Sequence, residues 1–111
     1  MIAGAQFSVY RTPSRSAVRP FVIVLQSDDF ARMPTRVVAP LVRPDDMPQP
    51  DGELARVAPK LMVRGQDYVL NPFDLATLGV HRLGDLVAAF AGDDEAKCKI
   101  HDALDIVVKP V

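Results

Sequence analysis

"RPFVIVLQSDDFARMPTRVVAPLV" forms residues 19–42 and holds two apolar runs separated by a short polar patch. In the first run, FVIVL, every position is apolar, so both faces of an extended chain would be hydrophobic. This pattern is typical of a central strand that is buried on both faces. The second run, residues 35–42, predicts another strand. Within it, Pro40 favours a sheet edge or a bulge, because proline cannot donate a ladder hydrogen bond.

Further strands are predicted on both sides of this stretch. Residues 5–10, AQFSVY, alternate well enough to form a strand. The segments ARVAPKLMV and DYVLN flank RGQ and predict a hairpin with Gly65 in its turn. Residues 75–92 are ambiguous. Their internal glycines favour a short strand, followed by a short helical or 3₁₀ turn that closes at Gly92.

The clearest pattern is DDEAKCKIHDALDIVV, residues 93–108. Asp93 or Asp94 is expected to cap a helix, since acidic side chains are favoured in a first turn. Pro110 disfavours helical geometry at the residue before it, so the helix should end near Val108. One apolar stripe at helical spacing contains Ala96, Ile100, Ala103, Leu104 and Val107, with Val108 at its edge. The chain is therefore predicted to be mainly β with α: a small curled sheet or barrel of five to six strands with a C-terminal α-helix.

Composition excludes several classes of protein. The chain has 111 residues, of which 49% are hydrophobic and 24% charged, and its net charge is −1, which is typical of one globular domain. This balance lacks the basic footprint of a nucleic-acid-binding protein, although Arg11, Arg15 and Arg19 make the N-terminal end locally basic. Cys98 is the only cysteine, and no apolar run is long enough for a signal peptide or a membrane span. We expect a cytoplasmic protein with no membrane partner.

The sequence offers no recognisable catalytic constellation. His81 and His101 fall in different predicted elements and lack metal-ligand spacing. The Asp doublets at 28–29, 45–46 and 93–94 are more simply turn and capping residues than cation ligands. The pattern predicts no metal, no cofactor and no enzyme activity. Binding remains, and Ile106, which lies off the helical stripe, could join Val108 and Val111 in a dimer or partner interface.

The order of several segments resembles the CcdB family, toxins of plasmid-addiction toxin–antitoxin pairs. The resemblance is carried by QFSVYRT, RPFVIVLQSD, PTRVVAPLV, GDLVAAF and the terminal helix. It implies an SH3-like β-barrel with a C-terminal helix, assembled as a homodimer. Residues 1–111 are then a single toxin domain, with the barrel at 1–92 and the helix at 93–108.

The resemblance also implies partners. The family target is DNA gyrase, through its gyrase A polypeptide, and the enzyme is trapped while it holds cleaved DNA. The antidote is a CcdA-like antitoxin whose disordered C-terminal segment wraps the toxin dimer. Operator DNA would be bound only indirectly, through the antitoxin. Neither role requires a cofactor.

The family places partner contacts on the polar patch after the second strand, which matches Gln26, Ser27 and Asp28. Where the family has two aliphatic residues, this chain has Asp29 and Phe30, so its patch is more acidic and more aromatic. We interpret these five residues as a surface that recognises the target or the antitoxin, and the patch as poorly described by a plain turn.

The family's gyrase-contacting positions at the C-terminus fall on Asp105, Lys109, Pro110 and Val111. The family pattern there is asparagine, tryptophan, glycine and isoleucine, so only Val111 is a conservative match. Tryptophan is a typical anchor of an interface, whereas Lys109 is spaced to pair with Asp105. Two alternatives to gyrase poisoning therefore stay open: a CcdB-like protein with lost or altered gyrase activity that still binds an antitoxin, and a non-toxic SH3-like protein-binding module.

Overall fold

A computed structural model describes residues 3–13, 19–47 and 58–107. Within them, seven strands form one antiparallel sheet, followed by helix α1 at Asp94–Val107. The strands are β1 Ser8–Arg11, β2 Phe21–Val24, β3 Thr35–Val42, β4 Lys60–Val63, β5 Gln66–Leu70, β6 Ala76–Gly79 and β7 Leu86–Ala89. Short 3₁₀ turns occupy Asp28–Phe30, Pro44–Asp46 and Val80–Arg82.

The sheet curls around β3, its longest strand. The spatial order is β4-β5-β3-β2-β1-β7, and β6 also pairs with β3. On one side, β3 pairs with β2. On the other side, its first half pairs with β6 at Thr35–Val38 and its second half with β5 at Leu41 and Val42. The result is a half-barrel with one C-terminal helix, which confirms the predicted fold class, with seven strands in place of five or six.

The predicted position of Pro40 at a sheet edge is wrong, because β3 is paired on both sides. The Pro40 carbonyl accepts a hydrogen bond from the Asn71 amide at 3.1 Å. In a strand, the nitrogen and the carbonyl of one residue face the same neighbour, so the Pro40 nitrogen also faces the side of β5 and β6. Pro40 lies there between Val38, the last residue paired with β6, and Leu41, the first residue paired with β5. A missing donor is tolerated there because no ladder bond is required.

The concave face of the half-barrel holds the main core. Val9, Ile23, Leu41, Leu70 and Ile100 each have 0% relative exposure, and they come from four strands and α1. Burying one such aliphatic side chain contributes about 1.5–3 kcal/mol. Helix α1 covers this face with the predicted stripe: Ala96, Ile100 and Ala103 are buried and Leu104 is half-buried.

A second apolar cluster lies on the convex face of the sheet. Val22, Val24 and Val38 are buried there, with Tyr10 and Leu78 packed against them. The cluster explains why every position of β2 is apolar, and it confirms that β2 is buried on both faces.

Local sequence signals fix two further elements. Arg64 and Gly65 connect β4 to β5 with φ angles of 51° and 81°, the positive values that a two-residue hairpin turn requires. The Asp93 carboxylate accepts a hydrogen bond from the Ala96 amide at 3.0 Å, so Asp93 is the N-cap of α1.

The segment before α1 differs from the prediction. The 3₁₀ turn is present, but a seventh strand, β7, follows it and pairs with β1. Gly84 permits this approach, because a Cβ atom there would lie 2.8 Å from the Arg11 carbonyl oxygen. Within the described residues, no helix is both long and apolar enough to cross a bilayer.

Candidate functional site

The polar patch between β2 and β3 folds as a 3₁₀ turn over Asp28–Phe30. Ser27 caps it: its hydroxyl oxygen accepts a hydrogen bond from the Asp29 amide at 3.2 Å. The Phe30 amide donates to the Ser27 carbonyl at 3.0 Å. The interpretation that the patch is poorly described as a turn is therefore wrong, since serine and aspartate stabilise such turns through their own side chains.

Most polar side chains of the patch bind the protein's own main chain. The side-chain amide of Gln26 accepts a hydrogen bond from the main-chain N–H of Val37 at 3.1 Å and donates one to the main-chain carbonyl of Phe30 at 3.2 Å. The Asp28 carboxylate accepts from the Gln6 amide at 2.8 Å. Asp29 is exposed, and Phe30 keeps 57% of its surface in solvent. Partner recognition by this patch stays a prediction, and Asp29 and Phe30 are its most accessible members.

The chain from Ser27 to Met33, here called the 27–33 loop, also presents Met33, which is 50% exposed. Beside it on β3, Val37 is 36% exposed. Large apolar side chains at this level of exposure are common one at a time, but three on one loop and the adjoining strand form a candidate contact surface.

A buried arginine lies directly under this loop. Arg36, in β3, has 3% relative exposure. Its guanidinium donates to the carbonyls of Ala3, Gly4, Ala31, Met33 and Thr35 at 2.6–3.0 Å. Sequence reasoning missed Arg36. The available signal was strand alternation, which puts this arginine on the same face as buried Val38.

The patch and helix α1 are connected through the N-terminal segment. The main-chain N–H of Gln6 donates a hydrogen bond to the Asp28 carboxylate. The next residue, Phe7, contacts His101 of α1 edge-on, with ring centroids 5.5 Å apart. The Phe7 amide also donates to the Val24 carbonyl at 2.7 Å. The same short segment therefore contacts both the polar patch and helix α1.

Of the predicted helix-end residues, Asp105 and Ile106 are exposed near the end of α1, and Ile106 keeps 52% of its surface in solvent. Val108, Lys109, Pro110 and Val111 lie outside the described residues. The gyrase-contact and dimer assignments at this end stay predictions.

A groove of about 480 Å³ opens on the convex face of the sheet. Val22, Val38 and Leu78 are apolar residues of its wall, and Arg82 also lines it. Arg19 and Asp74 form an ion pair there at 2.7 Å, with side chains 55% and 41% exposed. A pair this exposed contributes little to stability. Sequence reasoning did not locate this groove, because Arg19 and Asp74 meet only through the fold.

Cys98 and the potential metal ligands of the described segments are further candidates for chemistry. Cys98 is an exposed free thiol on α1. In the part of the chain that the structure describes, no group of three or more His, Cys, Asp or Glu side chains is placed to hold a metal ion.

Several solved structures share this fold. An endoribonuclease in complex with its cognate antitoxin, from a mycobacterial species, aligns with a TM-score of 0.69 and 22% identity, over 97% of this chain and 95% of that one. The Mycobacterium tuberculosis toxin MazF-mt6 aligns at 0.67 and 13%, over 89% and 93%. A further mycobacterial endoribonuclease aligns at 0.67 and 20%, over 97% and 93%.

These structures correct one prediction. The expectation that the chain is not an enzyme is overturned as a conclusion from the sequence, because it rested on the lack of a familiar motif, and two solved structures with this fold are of endoribonucleases. The fold alone therefore does not decide between an enzyme and a binding protein.

No curated protein matches the chain in sequence. The family model of the CcdB protein matches residues 6–109, which include all seven strands and α1. The chain therefore belongs to the CcdB family of toxins from toxin–antitoxin systems.

Proposed function

We propose that residues 1–111 act as one toxin domain, with the barrel at 1–92 and the helix at 93–108, and that a cognate antitoxin neutralises it. The observation that carries this proposal is the family match over residues 6–109. The structural neighbour bound to its cognate antitoxin supports an antitoxin as partner. We propose that this antitoxin is CcdA-like, as the family resemblance implies.

The 27–33 loop is the surface we propose for a protein partner. The side chains of Ser27 and Asp28, and of Gln26 just before the loop, form hydrogen bonds with main-chain groups of the protein itself. The residues left to contact a partner are Asp29, Phe30 and Met33. An exposed aromatic side chain on a turn held by hydrogen bonds loses little conformational entropy on binding, which favours it as an anchor.

The finer proposal is that the toxin acts as a homodimer on the gyrase A polypeptide of DNA gyrase, through Asp105, Lys109, Pro110 and Val111. Any contact with operator DNA would be made through the antitoxin. The departures at Lys109 and Pro110 keep one alternative in place: a family member with lost or altered gyrase activity that still binds its antitoxin.

Induced expression in a bacterial host tests the toxin role directly. We expect growth arrest without the antitoxin and normal growth when the gene beside it is co-expressed. Normal growth in both cases contradicts the toxin role and favours a non-toxic SH3-like binding module. With purified gyrase, accumulation of cleaved DNA supports poisoning, and its absence assigns the arrest to another target.

A second candidate function, RNA cleavage, is favoured by the convex groove. Arg82 is exposed at its wall, and Arg19 lies beside it on the groove lining. Guanidinium groups bind phosphate oxygens through paired hydrogen bonds, and the apolar residues of the groove suit a nucleobase. Two neighbours in fold are endoribonucleases.

Incubation of the purified protein with single-stranded RNA tests this candidate. If the groove is the site, wild type cleaves RNA and Arg82→Ala loses cleavage by about tenfold to a hundredfold, the cost of losing one hydrogen bond to a charged group. Arg64→Ala, an exposed arginine in the β4–β5 turn, is the matched control. Equal cleavage by all three proteins would assign the activity to a contaminant or another site.

A further inference from the structure

Every N–H donor of the buried Arg36 guanidinium is hydrogen-bonded to a main-chain oxygen atom. An arginine has five N–H donors, and Arg36 makes five hydrogen bonds: one from Nε, two from Nη1 and two from Nη2. All five acceptors are carbonyls. A buried charge is costly unless its hydrogen bonds are complete, so the site depends on the main chain keeping this arrangement.

The carbonyls belong to three separate stretches of chain. Ala31 and Met33 lie in the 27–33 loop, Ala3 and Gly4 in the N-terminal segment, and Thr35 at the start of β3. The rigid fork of the guanidinium fixes both the distance and the direction of its acceptors. Arg36 therefore holds the loop and the N-terminal segment at one fixed separation.

The N-terminal segment is itself fixed on its other side. The Gly4 amide donates to the Tyr10 hydroxyl at 3.0 Å, and Gly4 has a φ of 68°. A Cβ atom at Gly4 would lie 2.9 Å from Arg36 Nε. The segment also binds the beginning of the loop, where the Gln6 amide donates to Asp28. The loop is thus tied at Asp28 by Gln6 and at Ala31 and Met33 by Arg36.

The loop has little else to hold it. Asp28 and Asp29 are exposed, as are Phe30, Arg32 and Met33, so apolar packing cannot define its conformation. Its main-chain hydrogen bonds are short-range, from Phe30 to Ser27, from Ala31 to Asp28 and from Met33 to Phe30. Beyond them, the exposed Gln26 side chain links the Phe30 carbonyl to the Val37 amide. An exposed loop with only local bonds opens easily unless a buried group anchors it.

We propose that Arg36 is a positioning residue, which holds the 27–33 loop in the conformation that presents Phe30 and Met33 to the antitoxin. The proposal rests on the proposed partner surface and adds the buried group that orders it. Arg36 itself, at 3% exposure, does not touch the partner.

Amide hydrogen exchange of Arg36→Met tests the positioning without any partner. Methionine fills a similar volume but donates no hydrogen bond. We expect exchange at Ala31 and Met33 to rise by about tenfold or more, the factor that corresponds to losing one hydrogen bond from a charged group. Arg36→Lys should give nearly the same increase, because an ammonium has three donors and cannot reproduce the fork. Exchange at wild-type rates in a folded Arg36→Met protein would overturn the proposal.

A matched control separates positioning from general destabilisation. Val63→Ala removes a buried side chain from edge strand β4, so it lowers the melting temperature without touching the loop. It should leave exchange at Ala31 and Met33 unchanged. Gly4→Ala is a second test of the same contact, because its added Cβ atom would lie 2.9 Å from Arg36 Nε and disturb the guanidinium. It keeps the proposal testable if Arg36→Met does not fold. It should raise the same exchange rates, and unchanged rates would count against the proposal.

Antitoxin binding supplies the functional readout. Arg36→Met should bind the co-expressed antitoxin about tenfold more weakly than wild type, because the loop loses its ordered conformation before binding, whereas Val63→Ala should match wild type. Wild-type antitoxin affinity in an Arg36→Met protein with rapid loop exchange would overturn the link to the partner. If wild type itself binds no antitoxin, the proposed partner surface fails, and the exchange result still decides whether Arg36 positions the loop.

Discussion

At the scale of single residues, polarity in the sequence was a poor guide to what is available for binding. Gln26, Ser27 and Asp28 match the family's contact patch, yet each binds the protein's own main chain. Their side chains shape the loop, and contact is left to the neighbouring Asp29 and Phe30. The residue on which the loop most depends, Arg36, is hidden inside an apolar strand.

Phe30→Ala should weaken binding of the co-expressed antitoxin by about tenfold to a hundredfold, the usual cost of truncating an aromatic anchor. Its melting temperature should stay close to that of wild type, because Phe30 is 57% exposed in the free protein. Titration calorimetry and thermal unfolding measure the two effects.

Phe73→Ala is the matched control, since Phe73 has a similar exposure of 58% but lies on the loop between β5 and β6. It should bind the antitoxin as wild type does. Equal weakening by both substitutions, or by neither, would remove the 27–33 loop from the interface.

At the scale of elements, the sequence predicted those whose signals are local. The all-apolar β2, the Arg64–Gly65 turn and the capped helix α1 each depend on neighbouring residues. β7 was missed because it lies at the sheet edge and its residues are only partly buried. The pairing of Pro40, the acceptors of Arg36 and the Arg19–Asp74 contact depend on segments brought together by the fold, so no local pattern could show them.

The cap of α1 gives a local prediction. Asp93→Ala should lower the free energy of unfolding by about 1 kcal/mol, because the Ala96 amide loses its side-chain acceptor. Urea denaturation measures the change. Asp94→Ala is the control: this neighbour lies inside the first turn and pairs with Lys97 only at 3.6 Å, so its loss should have a smaller effect. A larger effect at Asp94 would assign the cap to the other aspartate.

At the scale of the whole molecule, the half-barrel leaves apolar side chains on several surfaces. Met62 on β4 is 62% exposed, and Ile106 on α1 is 52% exposed. The 27–33 loop is joined to α1 through Gln6 and Phe7, so an assembly through α1 would bring the 27–33 loops of two copies into one particle. Such an arrangement suits an antitoxin segment that contacts both copies, since linked contacts strengthen overall binding.

The proposed homodimer makes Ile106 the decisive position. Ile106→Glu should shift the protein from dimer to monomer in sedimentation, because a charge placed in an apolar interface must be desolvated or must disrupt the contact. The monomer should stay folded, since Ile106 already faces solvent in the single chain. Met62→Glu introduces the same charge at a similarly exposed residue of β4 and should leave the dimer intact. A dimer that survives Ile106→Glu but dissociates with Met62→Glu would place the interface on the β4 edge, where it would add a strand to the sheet in place of packing two helices.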